Sequence, residues 1–417
     1  MLNKGKLAAS VKNNIVTWLF VALCAVCFAF SGQSFTFLLG DVMSRLSRNA
    51  FIVLSLIIPV VAGMGINFAI TIGAMAAQIA LLWVLEFQIP GTPGFLLAVA
   101  MTIPIALLFG YFIGKILNKM KGQEMIGSLI MGYFANGLYQ LLFLFIFGNL
   151  IPMNAPGLVI KGSRGIANTM DLKPAKMMYA LDNIWKVKFE QGLYIIAGLA
   201  TVYAVAALLT KRVSPKKAMA WLGVSLGSCL LIQIPLIKGW FTMASIPMVT
   251  FLLVGFLCLF NIVLLRTRLG QQFRAVGQNR QVANAAGINV DRTRLIAIMI
   301  STVLAALGQL IFVQNMGSLQ TYGAHEQVGL YAGAAILVGG ASIVRATNTQ
   351  ALLGCLLFHM MFIVVTPAGA NLFGDAAIGE YFRVFVSYGV IALALVLHGM
   401  YSNKTPEAKL KAAAEKE

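Results

Sequence analysis

Polar side chains lie at several positions inside apolar segments of this sequence, where hydrogen-bonding groups usually face a bundle interior or a water-filled cavity. Tyr133, Asn136 and Gln140 share one face of a predicted helix, because they follow one another at intervals of three and four residues. Such residues bind a small polar solute in an otherwise apolar cleft, or they join neighbouring helices, and the spacing leaves both interpretations open. The candidate solute-pathway residues are Asn67, Gln78, Tyr133, Asn136, Gln140 and Gln309.

The ionisable residues argue against two other kinds of chemistry. Glu86, Glu124 and Glu326 lie near segment ends, and no predicted span has an acid at its centre, so a proton or sodium relay lacks its usual groups. The three histidines lie on separate segments, which disfavours a membrane enzyme, and no catalytic or metal-binding residue is predicted. An ion-coupled secondary transporter is the alternative to the function considered below.

The sequence also lacks a nucleotide-binding loop. Gly114-Lys115 is followed by Ile116 inside an apolar segment, whereas a phosphate-binding loop has the pattern Gly-x-x-x-x-Gly-Lys-Ser/Thr. We therefore predict no cofactor for this chain, and the energy for any transport would have to come from elsewhere.

The stretch from Arg266 to Arg294, here called the arginine segment, carries six arginines and a single acid, Asp291. Short loops this basic are retained on the cytoplasmic side of a membrane. Residues 271–286 contain no proline and place a few apolar residues among polar ones, which predicts a short surface helix that stops at Gly287. The segment is either a docking surface for a soluble partner or a connector that only sets orientation.

The composition is that of a multi-pass membrane protein. Of the 417 residues, 59% are hydrophobic and only 11% charged, and the mean hydropathy is +0.86, whereas about a quarter of the residues of a soluble domain are charged. The net charge of +18 falls mostly in short clusters between apolar runs, which indicates positive-inside bias rather than nucleic-acid binding.

Two apolar segments are interrupted, one in each half of the chain. Residues 51–85 form an apolar run longer than one crossing needs, and it contains Pro59, Gly63 and Gly65 next to Asn67. Val328 to Val338 is too short to cross comfortably and predicts a re-entrant or half helix. This pairing is typical of transporters built from two related halves. We predict an all-α integral membrane protein with about 10–12 transmembrane helices, including these broken helices.

The clusters of basic residues predict the orientation of the chain. Lysines before residues 15–30 place the N-terminus in the cytoplasm, and we interpret residues 15–30 as a retained helix rather than a signal peptide. The polar patch 40–49 is then expected outside the membrane, as is the long polar segment 151–191. Residues 1–400 form one transmembrane domain, and residues 401–417 a charged cytoplasmic tail.

At two places the sequence resembles a known family. Val276 to Val290 reads VGQNRQVANAAGINV, and a later stretch reads Leu337-Val-Gly-Gly-Ala-Ser342. Both resemble the permease subunits of ribose-type and simple-sugar ABC importers, which belong to the branched-chain amino acid permease superfamily. The resemblance covers about Arg266 to His398, and Gly63 to Gly73 is similar to the glycine-rich break in the first half of those proteins.

The resemblance implies partners and a coupling site. The arginine segment would contain the helix that fits into a groove of a cytoplasmic ABC ATPase subunit, which binds the ATP and Mg. A second permease subunit, identical or related, would complete the pore, and an extracytoplasmic solute-binding protein would deliver the solute; no nucleic acid is expected. The implied location is a bacterial cell membrane, with both termini cytoplasmic. The implied ATPase-coupling residues are Arg274, Gln278, Asn279, Arg280 and Gly287.

The family implies a simple sugar or a nucleoside as the solute. This chain departs from the sugar permeases at Gly65-Ile-Asn67, where they usually have Gly-Ile-Asp, and it is closer there to amino-acid permeases. An amino acid or a vitamin-like molecule is therefore the alternative solute. The chain is also longer than a typical member, with an expected insertion between residues 151 and 236.

Overall fold

The computed structural model describes residues 14–120, 122–159, 165–209, 215–241, 244–393 and 396. The described chain is mainly helical, and its strands form two short antiparallel pairs, β1 with β4 and β2 with β3. The strands are β1 (Thr169–Asp171), β2 (Lys186–Lys188), β3 (Ser245–Pro247) and β4 (Ser318–Gln320). The helices of the first half are α1 (Ile15–Ser31), α2 (Phe35–Leu54), α3 (Ile57–Val61), α4 (Ile70–Glu86), α5 (Gly91–Lys119) and α6 (Glu124–Leu141), which continues as a π-helical turn (Leu142–Ile146). Those that follow are α7 (Phe189–Leu209), α8 (Pro215–Leu231), α9 (Pro235–Trp240), α10 (Met248–Leu264), α11 (Arg268–Gln278), α12 (Arg280–Ala285), α13 (Val290–Met316), α14 (Val328–Val338) and α15 (Asn348–Phe373), with α16 (Ala376–Leu393) the last.

Six of these helical segments are long and apolar enough to cross a membrane, and a seventh results if α10 and α11, which meet at 75°, count as one broken span. The shorter apolar helices in the described chain include α1, α4 and α14. The all-α membrane class is confirmed, and the total of 10–12 crossings stays a prediction.

The interruption in the first half lies where the sequence predicts it. Helix α3 ends at Val61, residues 62–69 are irregular, and α4 begins at Ile70. Gly63 has a φ of +72°, and a Cβ there would lie 2.6 Å from the Cα of Gly277. Only glycine allows both this backbone conformation and this approach. The arginine segment therefore packs directly on the break.

The half helix α14 packs on the same break from another side. Its bounds, Val328–Val338, match the predicted ones, and a Cβ at Gly329 would lie 2.4 Å from the carbonyl oxygen of Phe68. The amide of Phe68 donates to Ser128 Oγ of α6 at 3.0 Å. The broken segment is thus held between α6, α14 and the arginine segment.

The two long polar segments lie at opposite ends of the bundle. Helix α5 has 29 residues, which corresponds to a length of about 40 Å. At its first residue the amide of Gly91 donates to the carbonyl of Ala175 at 2.8 Å, and near its last turn Asn118 Nδ2 donates to the carbonyl of Asp291 at 2.7 Å. Residues 151–191 and the arginine segment therefore contact opposite ends of one helix.

The segment 151–191 is tied to the bundle by backbone pairing. Strand β1 pairs with β4 and β2 pairs with β3. The carboxylate of Asp182 is buried and accepts from Thr250 Oγ1 at 2.5 Å and from Asn315 Nδ2 at 2.7 Å. These contacts connect the segment to α10 and to the end of α13.

The structure shows residues 40–49 to be helical, while their expected place outside the membrane stays a prediction. They form the middle of α2, within a helical segment, Phe35–Val61, that is long and apolar enough to cross. Arg45 Nε donates to Asp41 Oδ2 at 2.8 Å one turn away, and Asn49 Nδ2 donates to the carbonyl of Arg45. Because these polar groups satisfy one another along the helix, the polar patch does not end it.

Candidate transport pathway and coupling surface

Two of the predicted pathway residues meet in a cluster of hydrogen bonds between α4, α6 and the turn before α14. Tyr139 Oη donates to Gln78 Oε1 at 2.6 Å, and His325 lies with Nδ1 3.0 Å from the same oxygen and with Nε2 2.8 Å from Asn136 Oδ1. Asn136 Nδ2 donates to Glu326 Oε1 at 3.0 Å. We call these five residues the central cluster.

The orientation of one amide decides how the central cluster shares its protons. With Gln78 placed as described, both ring nitrogens of His325 face oxygen acceptors, which requires a doubly protonated ring. Turning the Gln78 amide by half a rotation lets its nitrogen donate to Nδ1, while Nε2 donates to Asn136 and Tyr139 donates to the carbonyl of Thr321, which lies 3.1 Å away. This second arrangement satisfies the contacts with a neutral ring.

Gln309 borders the central cluster without entering it. Its Nε2 donates to the carbonyl of Ala324 at 3.2 Å, in the turn that carries His325. In the described chain, Gln309 Oε1 is a buried atom without a hydrogen-bond partner, and so is the atom of the Gln78 amide that faces away from His325, which is the nitrogen as placed and the oxygen after the rotation. A buried polar atom without a partner costs free energy, so these two atoms mark places where a solute can form bonds.

Asn67 lies in the break between α3 and α4, apart from the central cluster. Its side chain is 2% exposed, and its Oδ1 accepts from the amide of Ala69 at 3.1 Å. Its Nδ2 is another buried atom with no partner in the described chain. One end of the amide therefore shapes the local backbone, the other has no bond within the described chain, and the role of Asn67 in the pathway stays a prediction.

Tyr133 and Gln140 point away from the face that Asn136 shares with Tyr139. Tyr133 is 62% exposed and Gln140 is partly exposed, and the described chain shows no bond from either to the central cluster. The predicted polar stripe is thus narrower than the spacing suggested. Tyr139, at i+3 from Asn136, completes the buried face, so helical spacing could have found it; His325 and Glu326 come from a distant turn and had no comparable signal.

The arginine segment forms two short helices where the sequence predicts one. Helices α11 and α12 are separated by Asn279, which has extended backbone (φ −157°) and whose Oδ1 accepts from the amides of Gln281 and Val282. An asparagine that caps a helix start in this way ends the preceding helix. The prediction of one continuous helix over 271–286 is therefore wrong.

The predicted coupling residues line two grooves beside these helices. Arg274 and Gln278 line one of about 860 Å³, together with residues of the turn after α14, including Arg345. Arg280 and Gly287 line another of about 770 Å³. Asn279 lies between α11 and α12. Its side chain accepts from the amides of Gln281 and Val282, so it stabilises the bend rather than lining a groove.

Arg280 also turns inward to an acid that the sequence analysis did not select. Its Nη2 lies 2.7 Å from Glu124 Oε1 and 3.2 Å from the carbonyl oxygen of Gly63. Arg294 Nη2 donates to the same oxygen of Glu124 at 2.6 Å, and Arg294 is 1% exposed. We call Glu124, Arg280 and Arg294 the ionic cluster, which joins α6, α12 and α13 at the broken segment. Glu124 and Arg294 were not predicted, because nothing in their spacing brings them together.

Apolar packing also holds α11 against the broken segment. Phe273 is fully buried, in a cluster with Ile58, Ala62 and Ala297. Together with the approach of Gly277 to Gly63, this packing makes α11 part of the bundle rather than a free loop. A force applied to α11 would therefore reach the broken segment directly.

A family model described as the branched-chain amino acid transport system / permease component matches residues 38–395, which is most of the chain. The protein belongs to this family. The match includes both interrupted segments, the central cluster and the ionic cluster.

Curated relatives of this permease carry names from sugar and nucleoside transport. It is 32% identical, over 40% of its own length and 51% of the relative, to the nucleoside ABC transporter permease NupC of Lactococcus lactis subsp. cremoris. To the ribose import permease RbsC of Escherichia coli it is 31% identical, over 31% of its length and 39% of the relative. To the L-arabinose transport system permease AraH of Escherichia coli it is 26% identical, over 40% of its own length and 47% of the relative. The chain spans about half the length of the first of these relatives, and no solved structure matches it.

Proposed function

We propose that this permease is the membrane subunit of an ABC importer, in which it moves a small polar solute into the cytoplasm by alternating access. One observation carries the proposal: the arginine segment, predicted to be cytoplasmic, packs on the broken helix that holds Asn67 through Gly277, Phe273 and Arg280. A subunit driven by another protein needs such a connection between its docking surface and its pathway. The family and the names of the relatives support the same function.

The proposed partners follow from this function. A cytoplasmic ABC ATPase would bind ATP and Mg²⁺, so the permease itself would need neither a cofactor nor a catalytic residue. A second permease subunit would complete the pore, and an extracytoplasmic solute-binding protein would contact the end of the bundle formed by residues 151–191. The arginine segment, at the opposite end, would then face the cytoplasm of a bacterial cell.

The residues that line the two grooves would have different roles in coupling. Arg274 and Gln278 face the larger groove and would contact the ATPase directly. Arg280 lines the smaller groove and is 31% exposed, but it also binds Glu124, so it would pass movement on to α6 as well as contact the partner. Asn279 and Gly287 would preserve the shape of the bend.

The solute we propose is a simple sugar or a nucleoside. The central cluster offers amides, a hydroxyl, an imidazole and the carboxylate of Glu326, and one buried amide atom each of Gln78 and Gln309 lacks a partner in the described chain. Neutral solutes with many hydroxyl groups need donors and acceptors of this kind.

Copurification from native membranes in mild detergent tests the importer assignment. We expect the tagged permease to retain an ATPase and a binding protein, identified by mass spectrometry, and we expect solute uptake to stop when cells are depleted of ATP. Arg274→Glu should remove most of the ATPase, because it reverses a charge in the larger groove, without changing the amount of permease in the membrane. Lys188→Glu, the same charge change on exposed strand β2 at the other end, serves as the control and should leave the ATPase bound.

Uptake that survives ATP depletion and follows an ion gradient would contradict the importer assignment. If the Arg274→Glu variant retained the ATPase normally, only the role of the larger groove would be contradicted, and the importer assignment would stand.

A further inference from the structure

A cavity of about 240 Å³ lies between α2, α13, α14 and α15, against residues 318–327. It is distinct from the central cluster, although both use the same turn: His325 faces Gln78 and Asn136, whereas Gly323, Ala324 and Gln327 line the cavity. The space corresponds to about eight water molecules at liquid density. Its polar lining residues are Asn49, Ser318, Gln320, Gln327, Tyr331 and His359.

His359 is the most informative of these residues. Its side chain is 7% exposed, and its Nδ1 has no hydrogen-bond partner in the described chain. The rings of Phe358 and Phe362 pack edge-on against it at 5.6 and 5.9 Å, which fixes its position in an apolar helix. A buried imidazole held in this way without a partner is costly unless a bound molecule supplies one.

The start of α14 borders the same cavity. Gln327 and Val328 line it, and the amide of Val328 donates to the carbonyl of His325 at 3.2 Å. Gln327 is the N-cap of this 11-residue helix but makes no side-chain cap hydrogen bond. The amide group of Gln327 and the imidazole of His359 therefore border one space.

The chemistry of the lining fits a neutral ring with hydroxyl groups. Three amide side chains and His359 provide donors and acceptors, while Tyr331 and Phe312 provide flat apolar surfaces. None of the described lining residues is an acid or a base with a full charge. The guanidinium of Arg48 lies nearby, 5.8 Å from the centre of the Phe312 ring, and its Nη1 donates to Met316 Sδ at 3.0 Å, but Arg48 is not itself a lining residue.

We propose that this cavity binds the ring of a pentose, either as the free sugar or as the ribosyl part of a nucleoside. His359 would bond a ring hydroxyl, the amides of Asn49, Gln320 and Gln327 would bond others, and Tyr331 would pack against the apolar face of the ring. This inference rests on the proposed function, because it assigns a binding site on the path of the same solute.

Equilibrium binding of tritiated D-ribose and tritiated uridine to the full chain in lipid nanodiscs tests the proposal. His359→Phe keeps the ring size among Phe358 and Phe362 but removes the nitrogens, so we expect binding to weaken about tenfold. His359→Gln, which restores a donor and an acceptor, should recover part of it. Ala332→Leu fills the cavity from α14 and should abolish binding.

The matched control is Ala135→Leu, which adds the same atoms in an apolar groove on α6 and should leave binding unchanged. Binding of ribose as tight as that of uridine would identify the free pentose as sufficient, and binding of uridine alone would identify the ribosyl group of a nucleoside. Unchanged binding in both His359→Phe and Ala332→Leu, or no saturable binding of either probe to the unaltered chain, would overturn the proposal.

Retention of the ATPase, measured on the same preparations, separates this result from the importer assignment. If the ATPase is retained but solute binding does not change in the His359 variants, the cavity proposal is rejected and the importer assignment stands. Binding that depends on His359 in a chain that never retains an ATPase would keep the cavity and reject the importer.

Discussion

The ionic cluster and the central cluster both join distant segments around the broken helix, but they do so with different chemistry. The ionic cluster places one carboxylate between two guanidinium groups, at 2.6 and 2.7 Å. The central cluster joins amides, a hydroxyl and an imidazole with a single carboxylate, that of Glu326. Buried atoms without a partner in the described chain occur in both regions, at Arg294 Nε in one and at Gln78 and Gln309 in the other. Paired charges hold the first region together, whereas mostly neutral hydrogen bonds join the second.

This difference suits the two roles that we propose. A connection that transmits force has to stay closed while the helices around it move, and a buried ion pair is costly to open. A solute pathway has to exchange partners, which neutral hydrogen bonds allow at about 1 kcal/mol each. The predictions below test whether the two regions differ in this way.

The largest effect is expected from Glu124→Gln. It leaves Arg294 buried with no full negative charge beside it, and breaking a buried pair costs about 3 kcal/mol of unfolding free energy. Unfolding in detergent, followed by a thiol-reactive dye that detects exposed cysteines, measures this loss. Asp41→Asn removes the partly exposed pair that Asp41 makes with Arg45 one helical turn away, and it serves as the control, since such i,i+4 pairs contribute less than about 1 kcal/mol. Equal effects of the two changes would show that the ionic cluster is not a special connection.

Gly63→Ala should uncouple ATP hydrolysis from uptake and destabilise the chain by about 2 kcal/mol, because the new Cβ meets Gly277 and the backbone is in the left-handed region. Gly137→Ala is the control: it lies on α6 with no atom within 4 Å of its Cβ. The measurement is uptake per ATP hydrolysed by the reconstituted complex. If the Gly63→Ala variant took up as much solute per ATP as the unaltered chain, the proposal that α11 acts on the break through Gly63 would be contradicted.

Asn136→Leu should lower solute uptake about tenfold, since it leaves His325 and Glu326 without their shared partner. Asn67→Leu should lower uptake less, because Asn67 contributes one free donor. ATPase copurification should stay normal in both variants. Unchanged uptake in both would reject the assignment of these side chains to the pathway.

The smallest effect separates two tyrosines of one helix. Tyr139→Phe removes the hydroxyl that bonds Gln78 and should cost about 1 kcal/mol of stability, with a fall in uptake. Tyr133→Phe changes an exposed side chain and should have no effect on either quantity. The same stability and uptake measurements apply to both, and an equal response would contradict the narrow buried face described for α6.

The local features of the fold followed from local sequence. Gly63, Gly65 and the short run Val328–Val338 predicted the two interruptions, because glycine and segment length act within a few residues. The bend at Asn279 was missed, although asparagine before a new helical turn is a known cap. The polar patch 40–49 did not reveal that it continues a helix, because polar residues one turn apart can satisfy each other inside a helix.

Local sequence is enough to recognise a helical membrane protein, to find the polar residues within its apolar segments and to locate its basic segment. Hydropathy, glycine and charge act locally, so they can be recognised from neighbouring residues alone. Only the tertiary structure decided that Gln78 and Asn136 meet His325, that Arg280 and Arg294 share Glu124, and that His359 lines a cavity. These contacts join residues far apart in the chain, and a hydrogen bond or an ion pair forms only where packing brings its two atoms within about 3 Å.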